Sequence, residues 1–154
     1  MKKKKIRILL VDDEVQFVDS LAERLGMRNL DCEAVYDGDQ ALDIVKKQEF
    51  DVVILDLRMP GMDGIEVLRQ LKKKNPLIEV IILTGHGTDK DEELSKKLGA
   101  FDYLEKPAKI DVLVNRAQSA FRRRLDNLSV AATYAQAGDF DTAKQIMQED
   151  EEEE

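Results

Sequence analysis

Three short runs of apolar residues most strongly constrain the fold that this chain can adopt. They span residues 6–11, 52–55 and 80–83 and are rich in Val, Ile and Leu. Runs of this length and composition are typical of strands that are buried on both faces of a parallel sheet. Residues 31–36 and 101–104 form two weaker strand candidates. The chain therefore has five candidate strands.

Helical periodicity fills the intervals between these strands. In five segments apolar residues recur every three or four positions, as they do on one face of a helix. These faces consist of Phe17, Val18, Leu21, Ala22 and Leu25; Ala41, Leu42 and Val45; Ile65, Leu68 and Leu71; Leu94 and Leu98; and Ile110, Leu113, Ala117 and Phe121. Asp63 and Glu66 have capping-box spacing at the start of the third helix. The alternation predicts an α/β fold, with a parallel sheet covered by helices on both faces.

The pattern changes after residue 124, and we predict three parts. The main domain covers residues 5–124, a helical extension covers residues 125–148, and an acidic disordered tail covers residues 149–154. A break at Gly138 separates two helical stretches within the extension. The extension is too short to bury a core of its own. The sequence leaves open whether it packs on the main domain or extends into solvent.

The formal net charge of −8 is unevenly distributed along the chain. Residues 1–124 contain 23 basic and 23 acidic side chains, so the whole acidic excess lies C-terminal to them. The main domain therefore lacks the positive field of a nucleic-acid-binding protein, and we expect no nucleic-acid partner. We interpret the basic runs at residues 72–74 and 122–124 as solvated helix faces.

The lengths of the apolar runs and the number of cysteines indicate the cellular compartment of the protein. The apolar runs are too short to span a membrane or to act as a signal peptide, so we expect no membrane partner. Cys32 is the single cysteine and cannot form an internal disulfide. These features together predict a cytoplasmic protein.

Polar side chains follow the predicted strands at the points where the strands end. Asp12 and Asp13 follow the first strand and Asp56 follows the third. Thr84 ends the fourth strand, and Lys106 comes shortly after the fifth. Because ligands bind at the carboxyl ends of the strands in open α/β sheets, we expect three carboxylates, a hydroxyl and an ammonium to converge on one edge.

This group of charges predicts a metal ion. Neighbouring carboxylates repel one another and raise each other's pKa, and Lys106 offsets only one negative charge. A divalent cation would offset the remainder. A site with few carboxylates and only oxygen ligands suits Mg²⁺, which keeps several waters and shares its shell with a phosphate. The absence of a cysteine or histidine cluster argues against zinc.

A carboxylate beside Mg²⁺ and a lysine can act as a nucleophile toward phosphorus and form an aspartyl phosphate. The metal and the ammonium would neutralise charge on the phosphoryl oxygens during transfer. Thr84 could donate a hydrogen bond to one of those oxygens, and Gly85 leaves room for the group to enter. The pattern thus indicates phosphoryl chemistry.

Four short motifs occur in order on these strands. They are Val-Asp-Asp-Glu at residues 11–14, Leu-Asp-Leu-Arg-Met-Pro-Gly-Met-Asp-Gly at 55–64, Leu-Thr-Gly at 83–85 and Glu-Lys-Pro at 105–107. Each motif alone is a weak signal, whereas all four in this order and spacing are highly specific. Together they resemble the receiver domain of bacterial two-component response regulators, over roughly residues 5–124.

The resemblance implies a role for each site residue. Asp56 would be the phosphoacceptor. Mg²⁺ would be bound by Asp13, Asp56 and the backbone carbonyl of Arg58, with Asp12 acting through water. Lys106 would pair with a phosphoryl oxygen. These assignments come from the family pattern and not from the spacing alone.

The resemblance also implies a fold and a conformational switch. The fold would be a flavodoxin-like, doubly wound five-stranded parallel sheet of order 2-1-3-4-5 with five helices, to which the short helical extension is added. The peptide bond before Pro107 would be cis. Thr84 would complete the catalytic set with Asp56 and Lys106 and would move toward the phosphate. Tyr103 would then turn inward into the space that Thr84 leaves.

The implied function is signalling. The chain would take a phosphoryl group from a sensor histidine kinase or phosphotransfer protein and would act on a downstream protein target. It would catalyse only its own phosphorylation and dephosphorylation, and so would not be an enzyme with a separate substrate. The sequence leaves open whether phosphorylation also drives formation of a homodimer.

Two alternatives bear on this interpretation. Phosphohydrolases of the haloacid-dehalogenase type also use an aspartyl nucleophile with Mg²⁺, but they need a second aspartate where this chain has Arg58. A degenerate receiver could instead be a binding scaffold that works without phosphorylation. Degenerate receivers usually lose an acid or the lysine, and this chain retains them.

Overall fold

The computed structural model describes residues 4–149, in which five parallel strands form one sheet. The strands are β1 (Arg7–Val11), β2 (Asp31–Val35), β3 (Val52–Leu55), β4 (Glu79–Thr84) and β5 (Asp102–Glu105). They are arranged in the order β2-β1-β3-β4-β5, and every neighbouring pair is parallel. The predicted flavodoxin-like sheet and its strand order are confirmed.

The described residues form six helices. They are α1 (Val15–Gly26), α2 (Gly38–Lys47), α3 (Gly64–Lys74), α4 (Asp89–Lys97), α5 (Ile110–Gln136) and α6 (Phe140–Glu149). The first five follow the five strands in turn, as the periodicity predicted, and the sixth lies in the predicted helical extension. None of these helices combines the length and the apolar character that crossing a membrane requires.

Alternate residues of the central strands enter two separate cores. Val53 of β3 packs in a core with Leu68 of α3. The next residue, Ile54, packs on the opposite face with Leu21 of α1 and Leu113 of α5. Since side chains alternate between the two faces of a strand, a strand between two helical layers must be apolar at every position. This explains the continuous apolar runs and fixes the strand ends that carry the polar residues.

Helix starts differ in one detail from the prediction. Asp63 does cap α3, and its carboxylate accepts a hydrogen bond from the backbone N–H of Ile65 at 3.0 Å. The capping-box spacing is not used for a capping box: the Glu66 carboxylate instead accepts from Arg69 at 2.6 Å and from Gln70 at 3.2 Å. A complete capping box forms at the start of α4.

We predicted that the basic run at residues 72–74 is a solvated helix face, and this is wrong for one of its members. Lys72 is only 1% exposed. Its ammonium donates to the backbone carbonyls of Pro76 at 2.8 Å and Ile78 at 3.0 Å. These bonds satisfy a buried charge with peptide dipoles, and they tie α3 to the chain that leads into β4.

The basic run at residues 122–124 also contains structural members, so the predicted solvated face is wrong here too. Arg124 is buried and forms ion pairs with Asp51 at 3.2 Å and Glu49 at 3.1 Å. Arg123 pairs with the buried Glu79 at 2.6 Å. Consecutive helical residues point about 100° apart, so a run of three must direct some side chains toward the sheet. These pairs fix α5 to the edge of the sheet where the strands begin, the amino edge.

The C-terminal extension is helical, as predicted. We predicted a domain boundary at residue 124. Helix α5 continues through that residue without interruption, and the boundary stays a prediction. Gly138 has φ of +83°, a conformation that glycine adopts at little cost, and α6 turns back there to pack on α5. Ala131 and Ala143 are buried, one on each helix of this hairpin. Of the predicted tail, Glu149 ends α6 and residues 150–154 lie outside the described residues.

Replacing Arg124 by Met should lower the free energy of unfolding by about 3 kcal/mol, because the buried Asp51 carboxylate loses its counter-charge. Urea unfolding followed by circular dichroism measures this loss. Arg122 lies two residues earlier on the same helix and is exposed, so Arg122→Met is the matched control and should cost less than about 0.5 kcal/mol. Equal losses in the two variants would contradict the structural role of Arg124.

Cys32 should react slowly in the folded protein. Burial and the neighbouring Asp31 charge raise the pKa of its thiol to about 12. At pH 8 only about one thiol in ten thousand would be ionised, and the thiolate is the reactive form. We expect alkylation by iodoacetamide at pH 8 to be at least tenfold slower in buffer than in urea that unfolds the chain, as measured by intact mass. Similar rates in the two solutions would show that the thiol is accessible and unperturbed.

Candidate functional site

The carboxyl edge of the sheet brings the predicted acidic residues and the lysine together. Asp12 and Asp13 follow β1 directly, Asp56 follows β3, and Lys106 follows β5. The backbone N–H of Asp56 donates to the carbonyl of Val11 at 2.9 Å. The ladder between β1 and β3 therefore extends into the site and fixes the position of Asp56 relative to the pair of aspartates.

Three carboxylates lie close enough to share one cation. Oxygen atoms from Asp12, Asp13 and Asp56 lie within 4.8 Å of one another. Within residues 4–149 no other group of His, Cys, Asp and Glu side chains meets this criterion. Asp12 and Asp56 are 4% and 5% exposed, so water screens their repulsion poorly. A set of oxygen donors with excess negative charge fits a hard cation such as Mg²⁺.

Lys106 supplies the positive charge at this edge. Its Nζ lies 2.6 Å from Asp12 Oδ2 and 3.6 Å from Asp56 Oδ2. It also lies 3.2 Å from Glu14 Oε1 and 4.5 Å from the centroid of the Phe17 ring. The contacts with Glu14 and Phe17 were not predicted from the sequence. Both residues lie in or beside the first turn of α1, where a single motif gives no indication of a partner about ninety residues away.

Burial and charge shift the pKa values in this cluster. Burial raises the pKa of Asp12 above its usual range, although hydrogen bonds from Lys106 and from the backbone of Glu14 oppose the shift. Burial would lower the pKa of Lys106, but its hydrogen bond to Asp12 and the charge of Asp56 outweigh that effect and raise it. The ammonium therefore stays charged at neutral pH. The acidic cluster remains short of positive charge, as a cation site requires.

Arg58 links the loop that follows Asp56 to α4. Its backbone N–H donates to Asp56 Oδ1 at 3.3 Å, and its guanidinium lies 2.6 Å from Asp91 Oδ2. The loop reaches α3 through Gly64, where an added Cβ would lie 2.5 Å from Leu57 Cα and 2.6 Å from the Asp56 carbonyl oxygen. Glycine is therefore required for this close approach. The Arg58 backbone thus lies beside Asp56, while its predicted role as a metal ligand stays a prediction.

Thr84 and Tyr103 lie side by side beneath the loop between β4 and α4. The Thr84 hydroxyl and the Tyr103 hydroxyl are both buried, and neither has a hydrogen-bond partner among the described residues. A Cβ added to Gly87 would lie 1.5 Å from the Tyr103 hydroxyl and 2.8 Å from Thr84 Cγ2. The Tyr103 ring is thus already turned inward, and its hydroxyl fills the space beside Gly87.

Gly87 is a site residue that the sequence did not predict. A glycine in a loop is usually explained by turn geometry, and no pattern in the chain relates residue 87 to residue 103. The Thr84 hydroxyl is also buried with no partner among residues 4–149, which is costly unless a further group bonds to it. Its predicted role toward a phosphoryl group stays a prediction.

A known protein family matches most of the chain. Residues 8–118 match the response regulator receiver domain family. The chain belongs to this family. The matched segment includes every residue to which the sequence analysis assigned a role in the site, and it stops within α5. The chain therefore contains a receiver of the two-component signalling type, and the rest of α5 and all of α6 follow the matched segment.

Solved structures of receivers share this fold. A receiver domain protein from Clostridium thermocellum is 34% identical, with a TM-score of 0.74 over 77% of this chain and 96% of that chain. NtrX from Brucella abortus is 30% identical, with a TM-score of 0.77, and the match covers 84% of this chain but 30% of that chain. A CheY-like receiver from Methanospirillum hungatei has a TM-score of 0.77 at 24% identity, over 80% of this chain and 98% of that chain.

Gly87→Ala should displace Tyr103 from its inward position, because the new methyl group would overlap its hydroxyl. Burial raises the pKa of Tyr103, with a contribution from the negative charges of Asp91 and Glu92. On displacement into solvent, that pKa should fall toward the ordinary tyrosine value. Titration of ¹³C-labelled tyrosine by NMR would measure the change.

The matched control for this variant is Gly85→Ala, whose added Cβ would make only ordinary contact with Lys106 at 3.7 Å. This control should leave the Tyr103 resonance and its titration unchanged. An unchanged Tyr103 titration in Gly87→Ala would mean that the loop moves instead of the ring.

Proposed function

We propose that this receiver accepts a phosphoryl group on Asp56 in a Mg²⁺-dependent reaction and transmits the signal to a protein partner. The observation that carries the proposal is the position of Asp56. It is buried beside two further aspartates, and its Oδ2 lies 3.6 Å from the ammonium of Lys106. A carboxylate held between a cation site and an ammonium is suited to attack an electrophilic phosphorus.

The acidic cluster would hold the metal. Asp13, Asp56 and the backbone carbonyl of Arg58 would be its ligands, and Asp12 would act through a bound water. The bound Mg²⁺ would supply charge neutralisation for the phosphoryl oxygens. The close spacing of the three carboxylates and the raised pKa of Asp12 support this assignment.

The side chains would divide the chemistry between them. An oxygen of Asp56 forms the new bond to phosphorus, while the bond from phosphorus to the imidazole nitrogen of a donor phosphohistidine breaks. The ammonium of Lys106 neutralises one phosphoryl oxygen as charge shifts. The Thr84 hydroxyl, which has no partner among the described residues, donates to another. Movement of Thr84 toward that oxygen would alter its packing against Tyr103.

This division of roles makes the chain a switch and not an enzyme with its own substrate. A haloacid-dehalogenase-type phosphohydrolase would need an aspartate at position 58, where the arginine side chain is directed to Asp91. The donor would be a sensor histidine kinase or a phosphotransfer protein. The downstream partner would contact the face formed by α4, β5 and α5, next to Tyr103. A reducing, cytoplasmic location agrees with the free thiol of Cys32.

Incubation with acetyl phosphate and Mg²⁺ tests the proposal. Intact mass should show a gain of one phosphoryl group, about 80 Da, in the wild-type protein only. Asp56→Asn removes the acceptor and serves as the matched control. Addition of a chelator before acetyl phosphate should abolish the gain, because the oxygens would lose their neutralising cation.

Failure to gain mass has two explanations that beryllofluoride can separate. Beryllofluoride mimics the phosphoryl group without being hydrolysed, so binding to the folded protein would indicate a short-lived aspartyl phosphate. If neither a mass gain nor beryllofluoride binding occurs in a folded protein, the chain is a scaffold that works without phosphorylation.

A further inference from the structure

Arg58 is held away from the acceptor that it adjoins. Its backbone is bonded to Asp56, but its guanidinium is directed across the loop to α4 and lies 2.6 Å from Asp91 Oδ2. The Arg58 side chain is 49% exposed and that of Asp91 is 19% exposed. The pair is therefore partly exposed, and water weakens it without abolishing it.

Three further hydrogen bonds hold Asp91 where it receives this arginine. Its Oδ2 also accepts the backbone N–H of Thr88 at 3.0 Å, and its own N–H donates to the Thr88 hydroxyl at 3.1 Å. Its carbonyl accepts from the hydroxyl of the buried Ser95 at 2.6 Å. One carboxylate oxygen thus both caps α4 and pairs with Arg58. The pair therefore connects the loop that follows Asp56, here called the acceptor loop, directly to the first turn of α4.

We propose that the Arg58–Asp91 ion pair is a latch that phosphorylation of Asp56 opens. This inference rests on the proposed function of Asp56. A phosphoryl group there adds nearly two negative charges and three acceptor oxygens, two residues from Arg58. Charge-assisted bonds from arginine to phosphate are stronger and more readily bidentate than a single-oxygen contact. The guanidinium therefore leaves Asp91 for the phosphoryl group, and α4 loses its tie to the acceptor loop.

The surroundings of Tyr103 connect this latch to the face formed by α4, β5 and α5. Burial is the main cause of the raised pKa of Tyr103; the negative charges of Asp91 and Glu92 raise it further, and the positive charge of Arg58 opposes the shift. All three charges therefore lie near the tyrosine hydroxyl. Departure of Arg58 changes both the anchoring of α4 and the electrostatic environment of the ring that packs beside Gly87, just before that helix.

Beryllofluoride affinity tests the latch. With Mg²⁺ present, Asp91→Asn should bind beryllofluoride about two- to fivefold more tightly than the wild type, because the probe no longer competes with Asp91 for Arg58. Asparagine still offers an oxygen to the Thr88 N–H, so the helix cap is retained. Asp89→Asn removes the same charge from the same turn of α4 without removing the pair, and its affinity should stay within about 1.5-fold of wild type.

An Arg58→Gln background separates a latch from a general charge effect. In that background Asp91→Asn should no longer change the affinity, because the two residues act through one ion pair. The Nε–H resonance of Arg58 gives a second readout, since it should shift on addition of beryllofluoride to the wild type. The Arg58 resonance in Asp91→Asn should already differ before the probe is added.

The outcomes distinguish this inference from the proposed function. A folded wild-type protein that binds no beryllofluoride would overturn both. If the wild type binds the probe but Asp91→Asn has wild-type affinity, the latch alone is overturned. An effect of Asp91→Asn that persists in Arg58→Gln would also overturn the latch, since the change would then come from the lost charge on α4 and not from the ion pair.

Discussion

The ammonium of Lys106 is the interaction on which the acidic edge of this receiver depends. It lies within ion-pair distance of Asp12, Glu14 and Asp56, and it reaches them from the opposite half of the sequence. Because the first and third strands are neighbours in the sheet, their terminal aspartates are necessarily close together. Without a cation among them, the repulsion between these buried carboxylates would oppose the strand order that creates the site.

The two edges of the sheet use buried charge differently. At the amino edge, where the strands begin, the buried acids Asp51 and Glu79 are matched one for one by Arg124 and Arg123, so these pairs are balanced and hold α5 in place. At the carboxyl edge the acids outnumber the bases, and hydroxyl groups of Thr84 and Tyr103 have no hydrogen-bond partner in the described part of the chain. Balanced buried charge indicates structure, whereas unbalanced buried charge at a strand terminus indicates a ligand.

Local patterns accounted for the strands, the helices and the residues at the strand ends. The apolar runs have the length of buried strands, and the topology of parallel sheets places Asp12, Asp56 and Lys106 at one edge. The burial of Arg124 could not be predicted, because it depends on which of three consecutive arginines faces the sheet. The contact of Tyr103 with Gly87 was also beyond prediction, since it depends on a ring orientation set by packing.

Helix α5 gives the molecule a mechanical property. Its 27 residues form a rod roughly 40 Å long, which begins on the face that contains Tyr103 and ends in the hairpin with α6. The paired arginines near its middle act as a fulcrum at the far edge of the sheet. The 12 residues beyond Arg124 extend roughly 18 Å past it. A tilt of about 10° around that point would displace the hairpin by roughly 3 Å, in the opposite direction to the start of the helix.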